Sequence, residues 1–220
     1  MIFILRGHIR LSFENDKLYN LIKSIYNENK GLEVYISTFN ILQSNISWRY
    51  IEEINIVISE ENIYNYFKDL SFLIKKILII DDKKIDLIGN LLGKLCNSNM
   101  PVIGWKRYWY CKNKILEYIN NLKKNKSEFV INCRFDIFCN SNNFDRNGIL
   151  NFIENNKNKI FIYNKFIQDR YRHGIDNIYI GNITTQYKLS NKFFFNLDSI
   201  EKKYYVIKHQ EMLVYIENFT

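Results

Sequence analysis

The stretch "FVINCRFDIFCNSN", Phe129 to Asn142, reads as a strand that runs into a small polar loop. Alternation puts Phe129, Ile131, Cys133, Phe135 and Ile137 on one face, all apolar and fit for burial. Asn132, Arg134 and Asp136 share the other face. An amide, a guanidinium and a carboxylate in a row fit a surface salt bridge, a nucleic-acid contact or a substrate phosphate site. A carboxylate at a strand end can ligate Mg²⁺ or Mn²⁺, and a guanidinium two residues earlier can hold a diphosphate oxygen or orient the carboxylate. A plain Arg134–Asp136 ion pair accounts for the same residues.

Upstream of this strand the chain alternates. Ile2 to Leu5 is a continuous apolar run that stops at Arg6-Gly7-His8, as expected of a strand buried on both faces. Leu18, Leu21, Ile22 and Ile25 recur at helical spacing between Asn15 and Asn27, with Gly31 as a stop signal. Leu32 to Ile36 and Ile54 to Ile58 read as the next strands. A helical stripe from Ile63 to Ile74 separates them from Ile77 to Ile80, which ends in Asp81-Asp82. Helices are expected over about 105–124 and 145–156, either side of the opening stretch. After residue 158, "KIFIYNKF", "NIYIGN" and "KKYYVIKHQEMLVYI" suggest strands or short mixed elements.

Strand–helix alternation predicts an α/β sandwich, with helices on both faces of a mostly parallel central sheet and a more irregular C-terminal part. Such sheets bind ligands at the carboxyl ends of their strands. Arg6-Gly7-His8, Ser37-Thr38, Asp81-Asp82 and Arg134 to Asp136 are therefore expected to be neighbours.

Composition sets the outer limits. The 220 residues are 47% hydrophobic and 16% aromatic, with one proline, Pro101, and no Ser/Gly-rich linker, so one domain with a sizeable core is expected. A formal charge of +8 suits nucleic acid, anionic lipid or a phosphorylated substrate. Cys96, Cys111, Cys133 and Cys139 lack CxxC spacing, which points to free thiols and a reducing cytoplasm and away from zinc. The apolar run in "MIFILRG" is too short for a signal peptide, and no run reaches the roughly 20 residues needed to span a bilayer. Neither GxGxxG nor GxxxxGK[ST] is present, and no Gly-x-Ser-x-Gly or His-x-x-x-His supports a hydrolase or metalloprotease.

Two further stretches carry polar groups that the core does not need. In "HGIDNIYIGN", His173 to Asn182, glycines bracket Asp176-Asn177 and then an apolar run. Asp176 is placed to act as a general base, to bind a sugar hydroxyl or to cap a helix. Trp48 in "SWR" and Trp105 in "GWKR" offer aromatic faces for a sugar ring, or serve as core.

Taken in order, "LRGHIRLSF", "VYISTFN", "SWR", "GWKRYWYCKNKIL", "FVINCRFDIFCNSN" and "GIDNIYIGN" resemble bacterial sugar transferases of capsule and lipopolysaccharide gene clusters, with relatives in large DNA viruses. The resemblance spans most of the chain in short pieces and implies a single GT-A-like (Rossmann-like) domain over 1–220. Its nucleotide-binding part would cover about 1–140 and its acceptor and C-terminal part about 141–220. By resemblance the chain moves a sugar from a nucleotide-sugar donor to a glycan or lipid-linked acceptor in surface polysaccharide synthesis. The implied setting is cytoplasmic, with peripheral association at the inner face of the membrane, or in the host cytoplasm if the protein is viral.

In such transferases an Asp-x-Asp element holds Mn²⁺ or Mg²⁺ on the nucleotide diphosphate. Here Arg134-Phe135-Asp136 stands in its place, so Asp136 inherits the metal or sugar contact while an arginine replaces the first acid. The resemblance further implies a donor pocket of Arg6, Gly7, Arg10, Thr38, Asn132, Arg134 and Asp136. It assigns Asp176 as the base if the reaction inverts the anomeric centre, with Asp136 as its catalytic companion, and Trp48, Trp105 and Asn177 to the acceptor. Two other readings stay open: a basic nucleic-acid-binding module, which lacks any specific motif, and an inactive GT-A-like interaction domain.

Overall fold

A computed structural model describes residues 1–46, 52–96, 98–139, 144–157 and 177–205, with 213, 214 and 217. Five strands form the central sheet: β1 (Ile2–Arg6), β2 (Glu33–Phe39), β5 (Ile74–Ile80), β6 (Phe129–Arg134) and β7 (Ile178–Asn182), in the order β5-β2-β1-β6-β7. The first four run parallel, and β7 pairs antiparallel with β6. Every residue of β1 is buried, as its unbroken apolar run requires at the centre of a sheet covered on both sides.

Alternation along the strands supplies two cores. Phe3, Leu5, Val34, Ile36, Ile131, Cys133 and Ile180 pack against α1 (Lys17–Glu28), α2 (Glu60–Phe67) and α4 (Arg146–Glu154), through residues such as Leu21, Ile22, Phe67 and Phe152. Ile2, Ile4, Tyr35 and Val130 face the other way, onto Ile115, Leu116 and Ile119 of α3 (Val102–Leu122) and Ile183 of α5 (Ile183–Lys203). The expected α/β sandwich with a mostly parallel sheet is the observed one.

Local chemistry sets several boundaries. Ser59 and Asn62 form a reciprocal capping box that starts α2, and Asp145 caps α4 through its bond to the Gly148 amide at 2.7 Å. The helical stripe expected from Ile63 to Ile74 divides at Lys68, whose φ of 51° ends α2 and opens a 3₁₀ segment, Lys68–Leu73.

Three expectations are corrected. The strand at Ile54 lies outside the central sheet: β4 (Ile54–Val57) pairs antiparallel with β3 (Ile41–Gln43) in a separate two-stranded ribbon. The strand at Phe129 stops at Arg134, and Phe135–Phe138 turns into a 3₁₀ helix, so Asp136 stands just past the strand. Among the described residues of the C-terminal part, 183–203 form α5, a 21-residue helix kinked at Asn196, where strands or short mixed elements were expected. Its buried stripe includes Gln186 and Ser190, which interrupt the apolar periodicity that would have marked a helix. "NIYIGN" is a strand as expected, whereas "KIFIYNKF" lies outside the described residues.

Candidate active site

The parallel register brings the polar strand ends together. Arg6 pairs with Ser37 of β2 on one side and with Arg134 of β6 on the other, so three adjacent strands end side by side. The chain leaves β1 through Gly7, whose φ of 89° is a conformation that glycine adopts without steric cost. The Gly7 amide donates to the Ser37 carbonyl at 3.0 Å, and the Gly7 carbonyl accepts from Thr38 Oγ1 at 2.9 Å. Beyond that turn, Arg10 opens a 3₁₀ segment in the left-handed region, with a φ of 53°. That backbone carries its side chain to Asp136, 126 residues away in sequence.

Asp136 is the hub. Arg134 donates from Nε to Oδ1 at 2.8 Å and from Nη2 to Oδ2 at 2.7 Å, a bidentate fork, while Arg10 Nη1 reaches Oδ2 at 2.5 Å. The Asp136 side chain is 5% exposed and each arginine 23%. Burial alone would raise the Asp136 carboxyl, but Arg134 and then Arg10 hold it down at about 2. Beneath this cluster, Arg6 is buried. Its Nε donates to Asn132 Oδ1 at 2.6 Å, and its guanidinium lies 4.6 Å from the Tyr108 ring centroid and 5.5 Å from that of Tyr179.

His8 sits beside the cluster, stacked on Phe39 at 4.5 Å. Its Nδ1 lies 3.3 Å from the Ile41 carbonyl, which can only accept, so Nδ1 carries the ring proton. Burial first, and then the Arg10 charge, lower its pKa to about 4. Arg107 of α3 also bears on His8 and ties down the loop after β5 through an ion pair to Asp82 at 3.2 Å. All four polar strand ends expected to be neighbours are neighbours.

The remaining candidates divide. Asn132 and Asn177 are buried, and the Nδ2 of each lacks a hydrogen-bond partner among the described residues. The Asn177 carbonyl accepts from the Arg134 amide at 2.9 Å, which places Asn177 at the same end of the sheet. Trp105 is fully buried, stacked on Tyr108 at 4.6 Å and edge-on to Trp109, and so presents no face to an acceptor; its expected role there is corrected. Asp176 and Trp48 lie outside the described residues.

Residues that the sequence did not single out complete the floor. Lys112 of α3 is fully buried, with Nζ 3.2 Å from the Tyr179 ring centroid. Tyr108, one turn earlier, covers Arg6. The spacing of Tyr108 and Lys112 on one helix face was the available signal, masked by the many other Lys and Tyr residues of this chain.

A divalent cation at Asp136 does not fit this arrangement. Both carboxylate oxygens already accept guanidinium donors, and a cation there would face two positive charges at hydrogen-bond distance. Among the described residues no group of three or more His, Cys, Asp or Glu side chains could hold a metal ion. The metal role expected of Asp136 is thus at odds with the contacts this carboxylate makes.

No protein-family model and no curated protein matches the sequence. Among solved structures, the chain is similar to the crystal structure of an active-site mutant of LgtC. The two are 9% identical, with a TM-score of 0.47 over 97% of this chain and 68% of that one. Among the described residues, no helix is long and apolar enough to cross a membrane.

Proposed function

We propose that the chain is a glycosyltransferase that takes a sugar from a nucleotide-sugar donor to a glycan or lipid-linked acceptor in surface polysaccharide synthesis. One observation carries the reading. Arg10, Asp136 and Arg134 meet at the carboxyl ends of adjacent parallel strands, where α/β sheets bind ligands, on the stretches that resemble sugar transferases.

In this reading the sugar–phosphate C–O bond breaks, and its electron pair leaves with the nucleoside diphosphate. The acceptor hydroxyl oxygen forms the new bond to the sugar carbon and gives its proton to a carboxylate base, for which we propose Asp176. Arg10 and Arg134 stabilise the charge that accumulates on the leaving diphosphate. Arg6 and Asn132 support them from below, Gly7 lets the backbone approach the donor closely, and Thr38 holds the Gly7 turn. Asn177 and Trp48 belong to the acceptor side of this proposal.

The test is a panel of UDP-, GDP-, ADP- and dTDP-sugars screened by thermal shift and by release of the free nucleoside diphosphate. One donor class should raise the melting temperature and be turned over. A panel with no shift and no release, with or without Mn²⁺, removes the assignment.

A further inference from the structure

We infer that the strand-end site holds the donor diphosphate through arginine without a divalent cation, and that Asp136 serves as the anion that aligns Arg10 and Arg134 rather than as a metal ligand. The inference deepens the donor reading above and rests on it.

The hydrogen-bond inventory of Asp136 is the first support. An ionised carboxylate offers only acceptor sites, and here Arg134 occupies both oxygens while Arg10 adds a second contact to Oδ2. A carboxylate engaged in this way fixes the plane of each guanidinium and its direction. Oxygen ligands for Mg²⁺ or Mn²⁺ have to turn their lone pairs toward the ion, and three of the roughly four acceptor sites here are turned toward nitrogen.

The second support is Arg10 itself. A non-glycine residue at a φ of 53° is uncommon, and such conformations persist where the surroundings enforce them, often at functional sites. This one delivers a guanidinium whose Nη1 is engaged by Asp136. Its buried Nε has no hydrogen-bond partner among the described residues. The side chain stays 23% exposed, so part of it remains open to a ligand. A pre-aligned, always-charged fork of this kind suits phosphate oxygens, for which arginine supplies both charge and paired donors. With Arg134 beside it and Arg6 below, the positive charge that an ion would otherwise bring is already built into the chain.

The experiment is calorimetric titration of the full chain with UDP, GDP, CDP and dTDP, and with inorganic pyrophosphate, in EDTA and in MnCl₂. Mn²⁺ alone is followed by electron paramagnetic resonance. One nucleoside diphosphate and pyrophosphate should bind in EDTA within about twofold of the Mn²⁺ value, and the protein should leave the free Mn²⁺ signal unchanged. Arg10→Gln should weaken that binding about tenfold or more, the loss of one charge-assisted hydrogen bond. Should Arg10→Gln fail to fold, the EDTA comparison on the unaltered chain decides.

Binding that appears only with Mn²⁺ overturns this inference and leaves the donor reading standing. Binding in EDTA that Arg10→Gln leaves unchanged also overturns it. Failure of every nucleoside diphosphate to bind, with or without Mn²⁺, removes the donor reading and this inference together.

Discussion

Arg134 grips Asp136 with both ends of its guanidinium, at 2.8 and 2.7 Å, across the point where β6 ends and a 3₁₀ turn begins. The strand end and the turn are thereby locked together, and Arg10 closes the cluster from a different segment of the chain. Under the proposed function, the three side chains that lock this turn are also the ones that meet the ligand.

Removing the hub should be costly. Asp136→Ala leaves two guanidinium groups side by side with no anion between them, and breaking a buried ionic cluster in this way costs roughly 3 kcal/mol. Urea denaturation should show the midpoint falling by the corresponding amount. A midpoint unchanged from the parent protein contradicts the assigned role.

Acid should act through the same carboxyl. Its folded pKa of about 2 lies below the ordinary Asp value of 3.8, so the unfolded chain binds the proton more tightly. The stability from this group is fully present above about pH 4 and is lost as pH falls toward 2, on the order of 2 kcal/mol in all. Chemical denaturation between pH 5 and 2 should lose that slope in Asp136→Asn.

His8 should contribute in a higher window. Its pKa falls from 6.5 to about 4 on folding, so the unfolded chain binds more protons between those values. Stability therefore rises with pH from about 4 to 6.5 and is level above it. His8→Phe, which keeps an aromatic ring beside Phe39, should flatten the denaturation profile across that interval. An unchanged profile argues that His8 does not titrate in this way.

Gly7 tests the turn. A methyl group at this position would find no atom within 4 Å, so Gly7→Ala meets no clash, yet the φ of 89° is unfavourable for alanine. The expected cost is about 1 kcal/mol or more, with weaker anion binding because the turn sets the path to Arg10. A thermal melt beside a pyrophosphate titration measures both.

The α/β architecture was legible because β1, β2 and β6 are apolar runs with abrupt polar ends, and α1 carries a clean stripe of Leu18, Leu21, Ile22 and Ile25. The strand-end rule then grouped Arg6, Thr38 and Asp136 correctly. Helix α5 was not legible, since Gln186 turns inward to donate to the Val130 carbonyl at 2.9 Å, a polar residue on a buried stripe. The Arg10–Asp136 contact joins segments far apart in sequence, and nothing local announces it. Trp105 shows the opposite failure: tryptophan in a basic context suggests a binding face, but packing on Tyr108 and Trp109 uses its whole surface. In Arg134-Phe135-Asp136 the sequence showed both charges, and only three-dimensional placement showed them paired with each other and with Arg10 as the third partner.

The most direct measurement is release of nucleoside diphosphate from a nucleotide-sugar panel by the parent chain and by Arg10→Gln, with folding of both checked by circular dichroism. One donor should be cleaved, and Arg10→Gln, still folded, should cleave it about tenfold more slowly or worse. No release from any donor, or equal release by the two proteins, contradicts a transferase whose leaving diphosphate is held by Arg10.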